Sequence, residues 1–165
     1  MASTAPQDAG QGRRRRRAAV AIKESLRELS IQLSLLNHQV GAHAEMKDID
    51  LYCLDIINRE GPLGPSSLAR RAGLHPATIT GVLDRLERGG WATRMRDPDA
   101  VDRRAVAVHP LRDRNPELFK LYSGMNESMD RVCAGYTDTE LELLADFLRR
   151  ATAAGQEATE ELAAG

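Results

Sequence analysis

The stretch Pro65–Gly90, PSSLARRAGLHPATITGVLDRLERGG, leaves the chain little conformational choice. Pro65 suits a first helical position, where its missing N–H is not needed, and Gly73 suits the residue just past a helix end. Pro76 then starts a second helix, and Gly89 and Gly90 close it. Two short helices are therefore joined across AGLHP, a turn of about four residues with a glycine, which is helix-turn-helix spacing. In the second helix Ile79, Val82, Leu83 and Leu86 recur at i, i+3, i+4 and i+7 and form a stripe to be buried, with Leu68 and Leu74 beneath it. The opposite face holds Ala77, Gly81, Asp84 and Arg88, flanked by Thr78 and Arg85 on one side and Thr80 on the other.

Directly afterwards the runs 91–96 and 103–108 read as the two strands of a hairpin. Four arginines and three aspartates crowd Arg94–Arg104, more charge than a solvated turn needs. A hairpin beside a major-groove helix can lay its tip over the neighbouring minor groove, whose negative potential attracts arginine. Acids on the same turn hold a guanidinium extended by accepting its hydrogen bonds. On this reading Arg103 is the minor-groove residue, Arg104 a phosphate contact, and Asp102 the orienting acid with Arg94 as partner. On the helix, Pro76 marks the anion-favouring N-terminus, Ala77 and Gly81 permit close approach, and Thr78 and Thr80 offer hydroxyls. Arg85 and Arg88 are placed to reach phosphates or bases. The blander alternatives are an exposed helical face and a salt-bridged turn that contributes little energy.

The flanks suggest assembly. Ile22, Leu26, Leu29, Leu33, Leu36 and Val40 are spaced 4, 3, 4, 3 and 4, a heptad seam that fits a helix shared with a second copy of the chain better than one packed on its own domain. The expected organisation is a disordered basic arm over 1–17, a dimerisation helix over 18–45, a winged lobe over 46–110, and C-terminal helices over 111–165 that complete the dimerisation region. Within these, a helix is expected at about 46–60, with Ile49, Cys53, Ile56 and Ile57 on one side, ending at GPLGP. Asn115 and Pro116 read as a helix start, and TDTE at Thr137–Glu140 as a capping box. The last helix carries Leu141, Leu144, Phe147 and Leu148 on one face and is expected to run to about Ala154. The run Arg13–Arg17 reads either as an arm following DNA phosphates or as a solvated tail.

Charge is distributed unevenly. The net charge is −1, yet residues 61–104 hold eight basic and five acidic groups, while 105–165 hold six and eleven. A polyanion needs only one basic face. No apolar run is long enough to span a membrane, and the start lacks the apolar segment of a secretory signal. Cys53 and Cys133 have no metal-type or redox-type spacing, which fits a reducing cytoplasm, with Cys53 a packed thiol. His38, His43, His75 and His109 do not pair at ligand spacing, so neither metal nor other cofactor is expected. GxSxG, HExxH, a phosphate loop and CxxC are all missing, so an enzyme is not expected.

Residues 47–108 resemble the MarR family of bacterial transcriptional regulators, through PSSLARRAGL, TITGVLDRLERGGW and the wing pattern R…DP…DRR. The resemblance implies a mainly α fold with a small β-hairpin wing: a winged helix-turn-helix joined to a helical dimerisation region. It also implies a cytoplasmic homodimer on a palindromic double-stranded operator, usually a repressor, released by a small phenolic or other aromatic effector. The chain departs from the pattern at Ala100 and Val101, which lengthen the wing, and at VHPLRDRNPEL, which replaces the usual LTxxG. A winged-helix module that binds protein and not DNA is the alternative.

Overall fold

The computed structural model describes residues 5–96 and 106–164. The elements, in chain order, are α1 (Ala5–His43), α2 (Asp48–Glu60), α3 (Pro65–Ala72), α4 (Pro76–Arg88), β1 (Ala92–Arg96), β2 (Val106–Pro110), α5 (Asn115–Cys133) and α6 (Asp138–Ala164). A 3-10 turn, Arg112–Arg114, leads into α5. The chain divides into two compact units, Met1–Leu118 and Phe119–Gly165. The division falls inside α5 and not at residue 110, and α1 shares the first unit with the winged lobe.

The lobe is built from α2, α3 and α4 packed against one another and against the hairpin. Its core is Leu54 and Ile57 of α2, Leu68 of α3, the stripe Ile79, Val82, Leu83 and Leu86 of α4, and Trp91 and Val108 of the wing, all buried. Each buried aliphatic side chain of this size contributes about 1.5–3 kcal/mol through removal from water. Cys53 lies among them as the packed thiol the sequence suggests, and burial, helped by the Asp50 charge, pushes its pKa up to about 11. Such a thiol stays protonated and unreactive at neutral pH.

The strands pair antiparallel, with Ala92 opposite Pro110, Arg94 opposite Val108 and Arg96 opposite Val106. Leu63 adds an isolated bridge on the other side of β2, exchanging N–H···O bonds of 2.8 and 3.2 Å with Val108. This stitch ties the GPLGP segment, read from sequence only as a helix stop, to the wing. Pro62 and the glycines on either side prevent a longer strand there.

Several expectations are corrected. Residues 5–17 are not a disordered arm: α1 already begins at Ala5 and carries Arg13–Arg17 as helical residues. Arginine and alanine are among the best helix formers, which offsets Gly10 and Gly12. Val40, assigned to the seam, is 3 % exposed and buried with Gly41 where α1 meets α2. The rest of the seam differs: Ile22, Leu29 and Leu33 are exposed, and Leu26 and Leu36 are half-buried. Asn115 opens α5, but its buried Oδ1 accepts no hydrogen bond, so the 3-10 turn starts the helix without a side-chain cap. Helix α6 continues past Ala154 to Ala164, because Ala, Gln, Glu and Leu in that segment all sustain a helix.

In the second unit the capping box at the start of α6 is formed. Glu140 Oε2 accepts from the Thr137 N–H and hydroxyl at 2.8 Å each, and the Glu140 N–H donates to Thr137 Oγ1 at 3.4 Å. These donors hold the Glu140 carboxyl below its ordinary pKa. Further along α6, Leu143, Leu144, Phe147 and Leu148 are exposed. Among the described residues no helix is long and apolar enough to cross a membrane.

Candidate nucleic-acid interface

The turn between α3 and α4 is set by Gly73 at φ 65°, ψ 32°, a left-handed cap whose N–H satisfies the last carbonyls of α3. An L side chain there would be strained, which explains the glycine. His75 is the N-cap of α4, and its Nδ1 accepts from the Ala77 N–H at 3.2 Å. That bond needs a lone pair on Nδ1, so the ring is neutral or protonated at Nε2 alone. With Pro76 lacking an N–H and Thr78 N–H bound to the His75 carbonyl at 2.9 Å, the opening amides of α4 are already satisfied. An anion there would therefore meet the helix dipole and the Thr78 hydroxyl before any free amide.

The α4 stripe is buried as its periodicity predicts, so its other side must face out. Pro76, Ala77, Thr78, Thr80 and Arg88 are exposed and Gly81 is half-buried. Among the described residues Arg88 and Arg96 carry no ion-pair partner, leaving two cations uncommitted on the α4 and β1 surface.

Arg85 is a correction. Expected among the DNA contacts, it turns inward to Asp50 near the start of α2. Its Nε donates to Asp50 Oδ2 at 2.8 Å and its Nη2 to Oδ1 at 2.6 Å. The Asp50 side chain is 3 % exposed and that of Arg85 33 %. A buried carboxylate must be paired and hydrogen-bonded; the planar guanidinium fork supplies both, and the Lys47 N–H adds a longer bond at 3.4 Å. The pairing strengthens the hold of Arg85 on its proton. With its donors committed in this way, Arg85 braces the reading helix against α2.

Arg94 is held by α4. Its Nη1 donates to Asp84 Oδ1 at 2.8 Å and to Glu87 Oε2 at 2.6 Å, and its Nη2 to the Thr80 carbonyl at 3.2 Å. The Arg94 N–H also donates to Glu87 Oε1 at 2.6 Å. The first wing strand is thus riveted to the reading helix by one side chain and one backbone bond. The sequence reading gave Arg94 an orienting role but sought its partner at the tip. Asp102, Arg103 and Arg104 lie outside the described residues, as does the Arg94–Asp102 pairing.

A third arginine, unnoticed in the sequence, closes the other end of α4. Arg114 lies 4.0 Å from the centroid of the buried Trp91 ring and donates to the Gly89 carbonyl at 2.6 Å. Glu117 grips the same guanidinium at 2.6 and 3.0 Å, which holds the Glu117 carboxyl below its ordinary pKa. Gly89 is required by packing, since a Cβ there would stand 2.6 Å from Trp91 Cδ1. Between these clamps opens a cleft of about 370 Å³, whose walls include Glu45, Asp50, Arg85, Trp91 and Arg114. Among the described residues no group of His, Cys, Asp and Glu could hold a metal ion.

Comparison with known proteins agrees with this geometry. The model of the MarR family matches residues 50–106. The chain is 35 % identical over 130 residues to the uncharacterised HTH-type transcriptional regulator YcgE of Bacillus subtilis, covering 78 % of this chain and 83 % of that one. It is 29 % identical over 86 residues to the HTH-type transcriptional repressor YetL of the same organism, covering 52 % and 50 %. Among solved structures, a MarR family protein from Bacillus stearothermophilus superposes with a TM-score of 0.65 at 21 % identity, over 87 % of this chain and 97 % of that one. The transcriptional regulator Tm0710 from Thermotoga maritima gives 0.59 at 21 % identity, over 85 % and 97 %.

Proposed function

The chain belongs to the MarR family, and from that premise we propose that this transcriptional regulator acts as a homodimer in the bacterial cytoplasm, binding a palindromic operator as a repressor. The observation that carries the reading is the outer face of α4. Pro76, Ala77, Thr78, Thr80, Gly81 and Arg88 form a low-relief surface of hydroxyls, small groups and one uncommitted cation. The Asp50–Arg85 pair stiffens that face from behind and Arg94 fixes the wing beside it. In the complex Thr78 and Thr80 meet phosphates or base edges and Arg88 a phosphate. Arg103 enters the minor groove, oriented by Asp102, and Arg104 follows the backbone. The acids of α4 that would suit a protein partner, Asp84 and Glu87, are neutralised by Arg94, which favours DNA over the protein-binding alternative.

The effector reading rests on the cleft beside α4. Two guanidiniums, Arg85 and Arg114, and the Trp91 ring suit a small aromatic carboxylate or phenolate. A ligand competing with Asp50 for Arg85 would loosen the brace on the reading helix. Ligands of this class that bind the folded state would raise the melting temperature.

A gel shift with DNA from upstream of the protein's own gene tests the main reading. Specific binding should survive competitor DNA and weaken steeply with salt. Arg103→Ala should cost about 1–3 kcal/mol of operator affinity. No binding at low salt would overturn the proposal.

A further inference from the structure

The arginine run of α1 is not absorbed by the DNA-binding reading. Arg14, Arg15, Arg16 and Arg17 are exposed, helical and without an ion-pair partner among the described residues. Helix α1 meets the lobe at its other end, where Val40 and Gly41 are buried and His43–Met46 line the cleft beside Arg85 and Gly89. Arg15 lies 25 positions before Val40, about 38 Å of helix axis at ~1.5 Å per residue. Moreover, α1 joins the lobe beside the C-terminal end of α4, whereas the reading residues Pro76–Thr80 occupy its opposite end. Geometry therefore separates the arginines from the DNA-facing surface.

A complementary segment exists in the same chain. The last three turns of α6 carry Glu157, Glu160 and Glu161 with no basic residue after Arg150. Spacings of three and four place these acids on one face, and all are exposed and unpaired among the described residues. The apolar stripes stand in the matching order. On α1 the basic run precedes Ile22, Leu26 and Leu29; on α6 the acidic run follows Leu144, Phe147 and Leu148. Arg15 lies 11 positions from Leu26, and Glu160 lies 12 from Leu148, about 17 and 18 Å respectively. One antiparallel register thus brings charge onto charge and apolar onto apolar together.

We propose that Arg14–Arg17 of one copy dock on the Glu157–Glu160–Glu161 face of α6 of a second copy, extending the dimer interface beyond its apolar seam. This rests on the homodimer proposed above. Two charge-reversed full-length proteins test it. One carries Arg14→Glu, Arg15→Glu, Arg16→Glu and Arg17→Glu; the other carries Glu157→Arg, Glu160→Arg and Glu161→Arg. Each alone should dimerise at least tenfold more weakly than wild type by sedimentation at low salt. The deficit should shrink at high salt, where the Debye length falls to about 3 Å. Mixed together they should form a tight one-to-one heterodimer, because both cross-copy pairings are then restored. A chain carrying both sets should regain wild-type dimerisation, which keeps the test decisive should either single set fold poorly.

Unchanged self-association of both variants overturns the inference while leaving the dimer intact; a monomeric wild type overturns the dimer reading as well. Failure of the mixture, with recovery in the doubly reversed chain, overturns it in favour of pairing within one chain. Normal dimerisation of the Arg-reversed protein with a reduced salt slope of operator binding overturns it in favour of an arm on DNA.

Discussion

Asp50 is the most constrained side chain in the winged lobe: a carboxylate 2 % exposed whose charge is met by one guanidinium. Arg85→Ala should therefore destabilise the fold by about 3 kcal/mol, most of it the cost of an unpaired buried charge. Urea denaturation measures this, and the double replacement Asp50→Leu with Arg85→Met should recover most of the loss. A single-variant loss under about 1 kcal/mol would mean that the carboxylate rehydrates freely. The pair was not legible in the sequence, because its members stand 35 positions apart and a helical wheel places Arg85 merely on the flank of the outward face. Trp91 and Arg114 escaped for the same reason. Local patterns report on one element, and these contacts belong to two.

At the level of elements much was legible, because Pro65, Gly73, Pro76 and Gly89 act on their own backbone and need no distant partner. All four lie within one residue of an observed helix boundary. The capping box at Thr137–Glu140 was equally local and is formed. Its consequence is a pH dependence. The folded-state pKa of Glu140 is depressed from 4.5, so its contribution is present above that value and lost as pH falls through the lower folded value. Glu140→Gln should flatten the acid limb of a stability–pH curve measured by thermal melts, and an unchanged limb would show the cap to be energetically silent. The start of α1 was misjudged because a run of like charge suggests solvation, while the helix propensity of arginine works in the opposite direction. In the wing, Arg94→Ala would remove the rivet to α4. Operator affinity should drop about tenfold, or about 1.4 kcal/mol, and Arg94→Lys should restore little of it, since an ammonium lacks the fork that spans three acceptors. Competition gel shifts measure both.

On the scale of the whole molecule, exposed apolar side chains set the expectation. Ile22, Leu29, Leu33, Ile31 and Leu35 of α1 all face solvent in the single chain, a density that marks an interaction surface. Leu29→Glu, at the middle of the seam, should leave the circular dichroism of the protomer intact and convert a sedimenting dimer to monomer, because pairing would bury a charge. An intact dimer would remove Leu29 from the interface. The rivet between β1 and α4 has a consequence at this scale too. A helix and a loop that move as one rigid body act as a ruler along the duplex. Lengthening an operator half-site by a single base pair between their two footprints would leave only one of them able to sit in register, whereas substitutions in the spacer would pass almost unnoticed.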